Sequence, residues 1–215
     1  MSISKKFLGS SLAAILLATA GAANADVIYD FNATAVGAFG TGPYGTVRLT
    51  QSGDNVVVTV LLRSDMNFVN TGGPHSIFAF MVNDGNTTDV TNLMFNGSLL
   101  GSNWTVTPGQ NTPFGTNFSL AIDCTVNCVN GAPGQMIDPL TFTFLNALES
   151  DFANFLSNGG AYFAADVICM TGGCNGATGA IAVTGGGRSV PEPGTLALLG
   201  LGLVGLGLSR RRVNA

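Results

Sequence analysis

Tyr44-Gly-Thr-Val-Arg-Leu-Thr50 and Asn55-Val-Val-Val-Thr-Val-Leu-Leu62, joined by Gln51-Ser52-Gly53-Asp54, decide how this chain is built. Both runs are rich in β-branched residues and alternate apolar with other side chains, which places one face of an extended strand against a core. The intervening Ser-Gly-Asp supplies the backbone freedom of a tight turn, so the stretch predicts a β-hairpin. Working outward, similar runs predict strands over 27–31, 76–82, 103–107, 117–122, 140–144, 161–168 and 180–184. Gly72-Gly73-Pro74, Asn83-Asp84-Gly85-Asn86, Asn96-Gly97 and Ala132-Pro133-Gly134 punctuate them as turns. One segment departs from this period. Over 145–156, Leu145, Leu148, Phe152, Phe155 and Leu156 follow helical spacing, and Asn158-Gly159-Gly160 would stop a helix. Short strands, regular turns and one short helix predict a mainly β domain over 26–184, an antiparallel β-sandwich for which a jelly-roll order is one option.

The two ends of the 215-residue chain have a different character. Lys5 and Lys6 precede an apolar stretch over 7–20, and Ala23-Asn24-Ala25 forms an A-x-A site. This is the layout of a secretory signal peptide over 1–25, a signal helix that directs the chain through the Sec translocase. Signal peptidase would cut after Ala25 and leave Asp26 first. At the other end, Gly185-Gly186-Gly187-Arg188-Ser189 reads as a Gly-rich linker. Val190, Pro191, Glu192 and Pro193 follow, then an apolar run from Thr195 to Leu208, then Arg210, Arg211 and Arg212. Proline fixes its own φ and disfavours the helical region for the residue before it, so the Pro-Glu-Pro triplet stays extended. Arginines resist translocation and would act as a stop-transfer signal, leaving the run as a transmembrane helix with its basic end in the cytoplasm. The run is shorter than the roughly 20 apolar residues of a permanent span.

The order Val190-Pro191-Glu192-Pro193, Leu/Gly run and Arg cluster resembles the PEP-CTERM sorting signal of Gram-negative bacteria, here spanning 190–215. That resemblance implies a tail that is a substrate for exosortase, a membrane transpeptidase-like enzyme that cuts near the triplet. It also implies transient anchoring in the inner membrane, then transfer to the cell surface or extracellular matrix of an organism that makes exopolysaccharide. Phe152 to Asp166 and Gly176 to Ile181 are similar to a recurrent body type among such proteins, in which a Gly-Gly-x-x-Phe-Ala-x-Asp strand precedes a Thr-Gly turn. On the residues alone, Asp166 is either a hydrogen-bonded structural acid inside an apolar strand or a solvent-facing one.

Export changes the meaning of the formal net charge of −4. Between Asp26 and Gly187 stand two arginines, no lysine and eleven acids, a net charge of −9. Such a surface repels nucleic acid and anionic lipid. It would meet an acidic polysaccharide only through bridging divalent cations.

The four cysteines lie in two close pairs, Cys124 with Cys128 and Cys169 with Cys174. In an exported chain they read as disulfides, within each pair or between the two loops. A four-thiolate zinc site is the other option at this spacing. Asp84, Asn86 and Asp89 offer oxygen ligands for calcium at loop spacing, without the EF-hand pattern. His75 is the single histidine, and a triad with Ser76 and Asp65 lacks a nucleophile elbow. Glu149 and Asp151 are too close in sequence to share a helical face as a glycosidase pair. Trp104, Tyr44 and Tyr162 are either core or a sugar-stacking face. No cofactor motif is present. The sequence therefore points away from an enzyme and toward a sorted surface or matrix protein of the biofilm, with exosortase as processing partner and exopolysaccharide as neighbour. A carbohydrate- or calcium-binding sandwich module is the alternative.

Overall fold

In a computed structural model, residues 25–71, 76–83, 85–125, 136–152, 156–157, 159–190, 200 and 202–203 are described. The chain divides into a compact unit, Asp26–Val190, and a second unit, Met1–Ala25 with Pro191–Ala215. Of the second unit only Ala25, Gly200, Gly202 and Leu203 are described, the last three as helical. Among the described residues no helix is long and apolar enough to cross a membrane. Most of the expected signal helix and of the run from Thr195 to Leu208 lies outside them.

The strands follow in order as β1 Asp26–Asp30, β2 Ala33–Thr34, β3 Gly45–Ser52, β4 Asn55–Leu62, β5 Met66–Phe68, β6 Phe78–Phe80 and β7 Val90–Phe95. They continue as β8 Ser98–Leu99, β9 Trp104–Thr112, β10 Gly115–Cys124, β11 Leu140–Phe144, β12 Phe163–Cys169, β13 Thr178–Val183 and β14 Arg188–Val190. One sheet has the order β14-β1-β3-β4-β11-β7-β8 and the other β2-β13-β12-β6-β10-β9, with β5 also pairing β12. All pairings are antiparallel.

The hairpin that opened the sequence reading forms β3 and β4, with Ser52 opposite Asn55 and Gly53 at φ +61°. Alternation puts Val47, Leu49, Val56, Val58 and Val60 inside, all fully buried. Phe78, Phe80, Leu120, Phe163 and Ile181 of the other sheet join them in one core, so the two sheets stack as a sandwich. Aromatic rings seal its centre. Phe80 lies 5.3 Å from Phe142 and 6.1 Å from Phe152, centroid to centroid. The outer face of the second sheet carries alanines instead. Ala121, Ala79, Ala164 and Ala182 stand side by side across β10, β6, β12 and β13 and are buried.

The helix expected over 145–156 is corrected. Among the described residues of that span only a 3-10 turn, Glu149–Phe152, forms; residues 153–155 lie outside the described set. The physical reason is that the segment bonds outward. The N–H groups of Leu145 and Ala147 donate to the carbonyls of Asp89 and Asp54 at 2.9 and 3.0 Å, and Asn146 takes φ +52°. Leu148 and Leu156, which suggested a buried stripe, are exposed, while Phe152 is buried. Of the stretch read as a linker, Arg188 and Ser189 belong to β14.

Candidate functional site

The junction between body and tail is built from β1 and β14. Asp26 pairs with Val190, Val27 with Ser189 and Ile28 with Arg188. β14 forms an exposed edge with one further tie, an ion pair of Arg188 with Asp30 at 3.3 Å. Such an exposed pair contributes little. Just before it the chain is held more firmly. Asn32 Oδ1 accepts bonds from Thr184 N at 2.9 Å and Thr184 Oγ1 at 3.0 Å. Gly187 crosses Tyr29 so closely that a Cβ there would stand 2.7 Å from the ring Cζ and 2.6 Å from Val27 Cγ1. Glycine is required for that approach. Asp26 accepts from Thr50 Oγ1 at 2.8 Å, so β1 is tied down from its first residue. Of the tail residues read as functional, Val190 is described and exposed. Pro191, Glu192, Pro193, Arg210, Arg211 and Arg212 lie outside the described residues, as does Ala23 at the other end.

A second feature lies on the alanine-faced sheet. β5 and β6 lie along the same edge of β12, and the segment between them is described at its two stems, 69–71 and 76–77. Carboxylates on either side hold the two stems. On β12, Asp166 is 2% exposed and accepts from Thr71 N at 3.2 Å and Thr71 Oγ1 at 2.6 Å. On β10, Asp123 accepts from Ser76 Oγ at 2.9 Å and Ile77 N at 3.2 Å. Asp166 is thus the hydrogen-bonded structural acid of the two options read from sequence. Ser76 is bound to Asp123, whereas Asp65 receives Arg63 Nε at 2.6 Å; the structure does not bring Ser76 and Asp65 together. His75 lies outside the described residues. Sequence reading missed Asp123 entirely, because only strand register sets it beside Ser76.

Burial pushes the Asp123 carboxyl above its ordinary value, against the opposing pull of Ser76 and Ile77. An acid raised in the folded state favours folding below its unfolded pKa and loses that contribution as pH rises through the folded one. Asp123→Asn should therefore gain stability relative to the parent as pH climbs from the ordinary carboxylate range, about 4, through the raised value. Thermal melts across that window check it; parallel curves for the two proteins would refute it.

Cys169 and Cys174 are joined, Cα to Cα 5.7 Å apart. Cys124 is also disulfide-bonded, and Cys128 lies outside the described residues. The zinc option is thereby excluded for Cys169 and Cys174, whose thiolates are consumed by the bond. The bridge closes a short loop beside Asp65, and the chain-entropy model gives such a loop roughly 2 kcal/mol. The double variant Cys169→Ser/Cys174→Ser should unfold at lower denaturant by that amount. An unchanged midpoint would mean that the bridge stabilises nothing.

Of the calcium candidates, Asn86 and Asp89 serve each other in a capping box around the 3-10 turn Thr87–Asp89; Asp84 lies outside the described residues. Among the aromatics, Tyr44 is buried and its hydroxyl donates to Gly40 O at 2.6 Å. Trp104 and Tyr162 are half-buried and each lines a cleft. The Trp104 cleft is about 260 Å³, and its lining includes Thr91, Asn92 and Thr105 beside Leu93, Leu99 and Leu100. The Tyr162 cleft is about 470 Å³ and is shared with Tyr29, Glu149, Ser150 and Gly187.

No curated protein and no solved structure matches the chain. One family model does: the PEP-CTERM protein-sorting motif, over residues 189–212. The match begins inside β14, so the motif starts while the chain is still paired to β1. Residues 189–212 are a PEP-CTERM protein-sorting motif, which marks the chain as an exosortase-targeted protein.

Proposed function

We propose that the protein is a non-enzymatic surface or matrix component, exported through the Sec translocase, freed from its leader by signal peptidase and released or transferred at its tail by exosortase. The observation that carries this reading is the sorting motif at 189–212, which begins within an exposed edge strand. Cutting there would part the tail from a folded body without disturbing the core. The side chains of Ser76, Asp123 and Asp166 are hydrogen-bonded at the stems that flank residues 72–75, which supports a structural use for them. The acidic body would not bind nucleic acid, and its surroundings would be the exopolysaccharide of the biofilm.

The test replaces Pro191, Glu192 and Pro193 with alanine and, separately, removes the exosortase. Antibody to the body then follows mass and location. Wild type should lose its tail and leave the inner membrane, and both altered strains should retain the longer form there. An intact, uncleaved chain resident in the inner membrane of wild-type cells overturns the reading. A second reading, a carbohydrate-binding sandwich module, is favoured by one observation: the half-buried ring of Tyr162 in a cleft that it shares with Glu149 and Ser150.

A further inference from the structure

The cleft at the body's corner is organised around a carboxylate. Glu149 is held by a reciprocal pair of bonds with Gln51: its Oε1 accepts from Gln51 N at 2.8 Å, and its N–H donates to Gln51 Oε1 at 3.2 Å. Gln51 is itself fixed, donating from Nε2 to the carbonyls of Asn55 and Ala147 at 3.1 and 3.0 Å. The carboxylate is therefore preorganised, and among the described residues its Oε2 accepts no hydrogen bond. Tyr162 and Tyr29 supply the walls, 5.8 Å apart between ring centroids. Tyr29 is locked by Phe163 at 5.1 Å and by Gly187 passing over it. Ser150 adds a hydroxyl. Among the described residues no lysine or arginine lines the cleft, so none of them neutralises Glu149. Burial pushes both the Glu149 carboxyl and the Tyr29 phenol upward, as expected where a carboxylate lacks a cation.

An uncompensated carboxylate beside aromatic rings is a receptor for an ammonium group. The volume, about 470 Å³, exceeds what an ammonium alone fills and suits a ring with hydroxyls. The body's net charge of −9 excludes a uronate and attracts a cationic glycan. The geometry points to the Tyr29/Tyr162/Glu149 cleft as a binding site for an amino sugar carrying a free amine, presented by a polysaccharide. The ammonium pairs with Glu149 Oε2, the sugar face lies on Tyr162, and Ser150 meets a ring hydroxyl. This inference rests on the carbohydrate-binding reading and gives it a ligand class.

Calorimetry on the full chain in detergent tests it, with three tetrasaccharide probes: a glucosamine tetramer, its N-acetylated counterpart and a galacturonate tetramer. The glucosamine tetramer should bind best and the galacturonate tetramer not at all. Glu149→Gln should weaken the glucosamine tetramer by about tenfold or more, the scale of a lost charged hydrogen bond. It should leave the weaker N-acetylated binding unchanged. Tyr162→Ala should weaken both. Asp89→Asn, which removes a like charge outside the cleft, should change neither, separating site binding from general attraction of a polycation. If the N-acetylated probe binds as tightly as the amine, or Glu149→Gln has no effect, the amino-sugar inference falls and the carbohydrate reading stands. If no probe binds, both fall. Circular dichroism of each variant confirms that the fold is retained.

Discussion

Phe80→Ala should destabilise the protein by about 3–5 kcal/mol, the range for emptying a buried phenylalanine site. Phe80 is fully buried on β6, a central strand of its sheet. Its ring meets Phe78 at 5.8 Å within the sheet, and Phe142 at 5.3 Å and Phe144 at 6.3 Å across the sandwich. Phe152 at 6.1 Å closes the end of the stack. Both strands beside β6 are paired to it, so the backbone has little freedom to collapse into the space left. Alanine would therefore lose both the transfer energy of the ring and its contacts with neighbours from two sheets. Equilibrium unfolding in urea measures the effect, and a lower midpoint at unchanged slope would show a loss of stability with the same surface exposed on unfolding. Phe80→Leu should cost less, because it keeps most of the volume. A loss below about 1 kcal/mol for the alanine variant would mean that the aromatic stack does not close the core.

The second large effect concerns Asp166. Asp166→Ala should cost roughly 2–4 kcal/mol, since it removes the acceptor of two hydrogen bonds and leaves the Thr71 amide and hydroxyl to find other partners in a buried setting. The loss should also be local. Hydrogen exchange at Thr71, whose amide bonds to the Asp166 carboxylate, should accelerate more than exchange at Val69, whose amide bonds to the Asp166 main-chain carbonyl, and more than exchange in β3 and β4. Asp166→Asn keeps one oxygen acceptor and should fall between parent and alanine. Equal exchange across all three proteins would show that the carboxylate does not hold the loop stem.

These features were unequally visible in the sequence. β4 and β11 match the expected bounds, Asn55–Leu62 and 140–144, because both are unbroken runs rich in β-branched or aromatic residues and both strands lie inside a sheet. β7 escaped because Val-Thr-Asn-Leu-Met-Phe does not alternate. Asn92 sits at φ +51°, and register with β11 shifts between Thr141 and Thr143, so one extra residue disturbs the period. The mistaken helix had the opposite cause: a spacing that looked helical while Gln51, Asp54 and Asp89, distant in sequence, captured its amides. β14 was hidden by the glycines before it and exists only because β1 offers an edge. The sorting motif was fully legible, since a peptide read by an enzyme must be specified by consecutive residues. The carboxylates around the 69–77 stems, and the Glu149 cleft, were not, since strand register and Gln51 alone assemble them.

The register of β1 with β14 has a mechanical consequence. Asp26 and Val190 face each other at the same end of an antiparallel pair. A pull that draws the chain's two ends apart loads the outermost rung first, then the next, in the manner of a zip. The same pull on strands joined at opposite ends would shear every rung at once. Only Val190, Ser189 and Arg188 need part from β1 before the strain reaches Gly187, wedged over Tyr29, and Thr184, fastened to Asn32. A tail under tension thus yields a few residues of slack at small force, and the sandwich behind that catch stays shut.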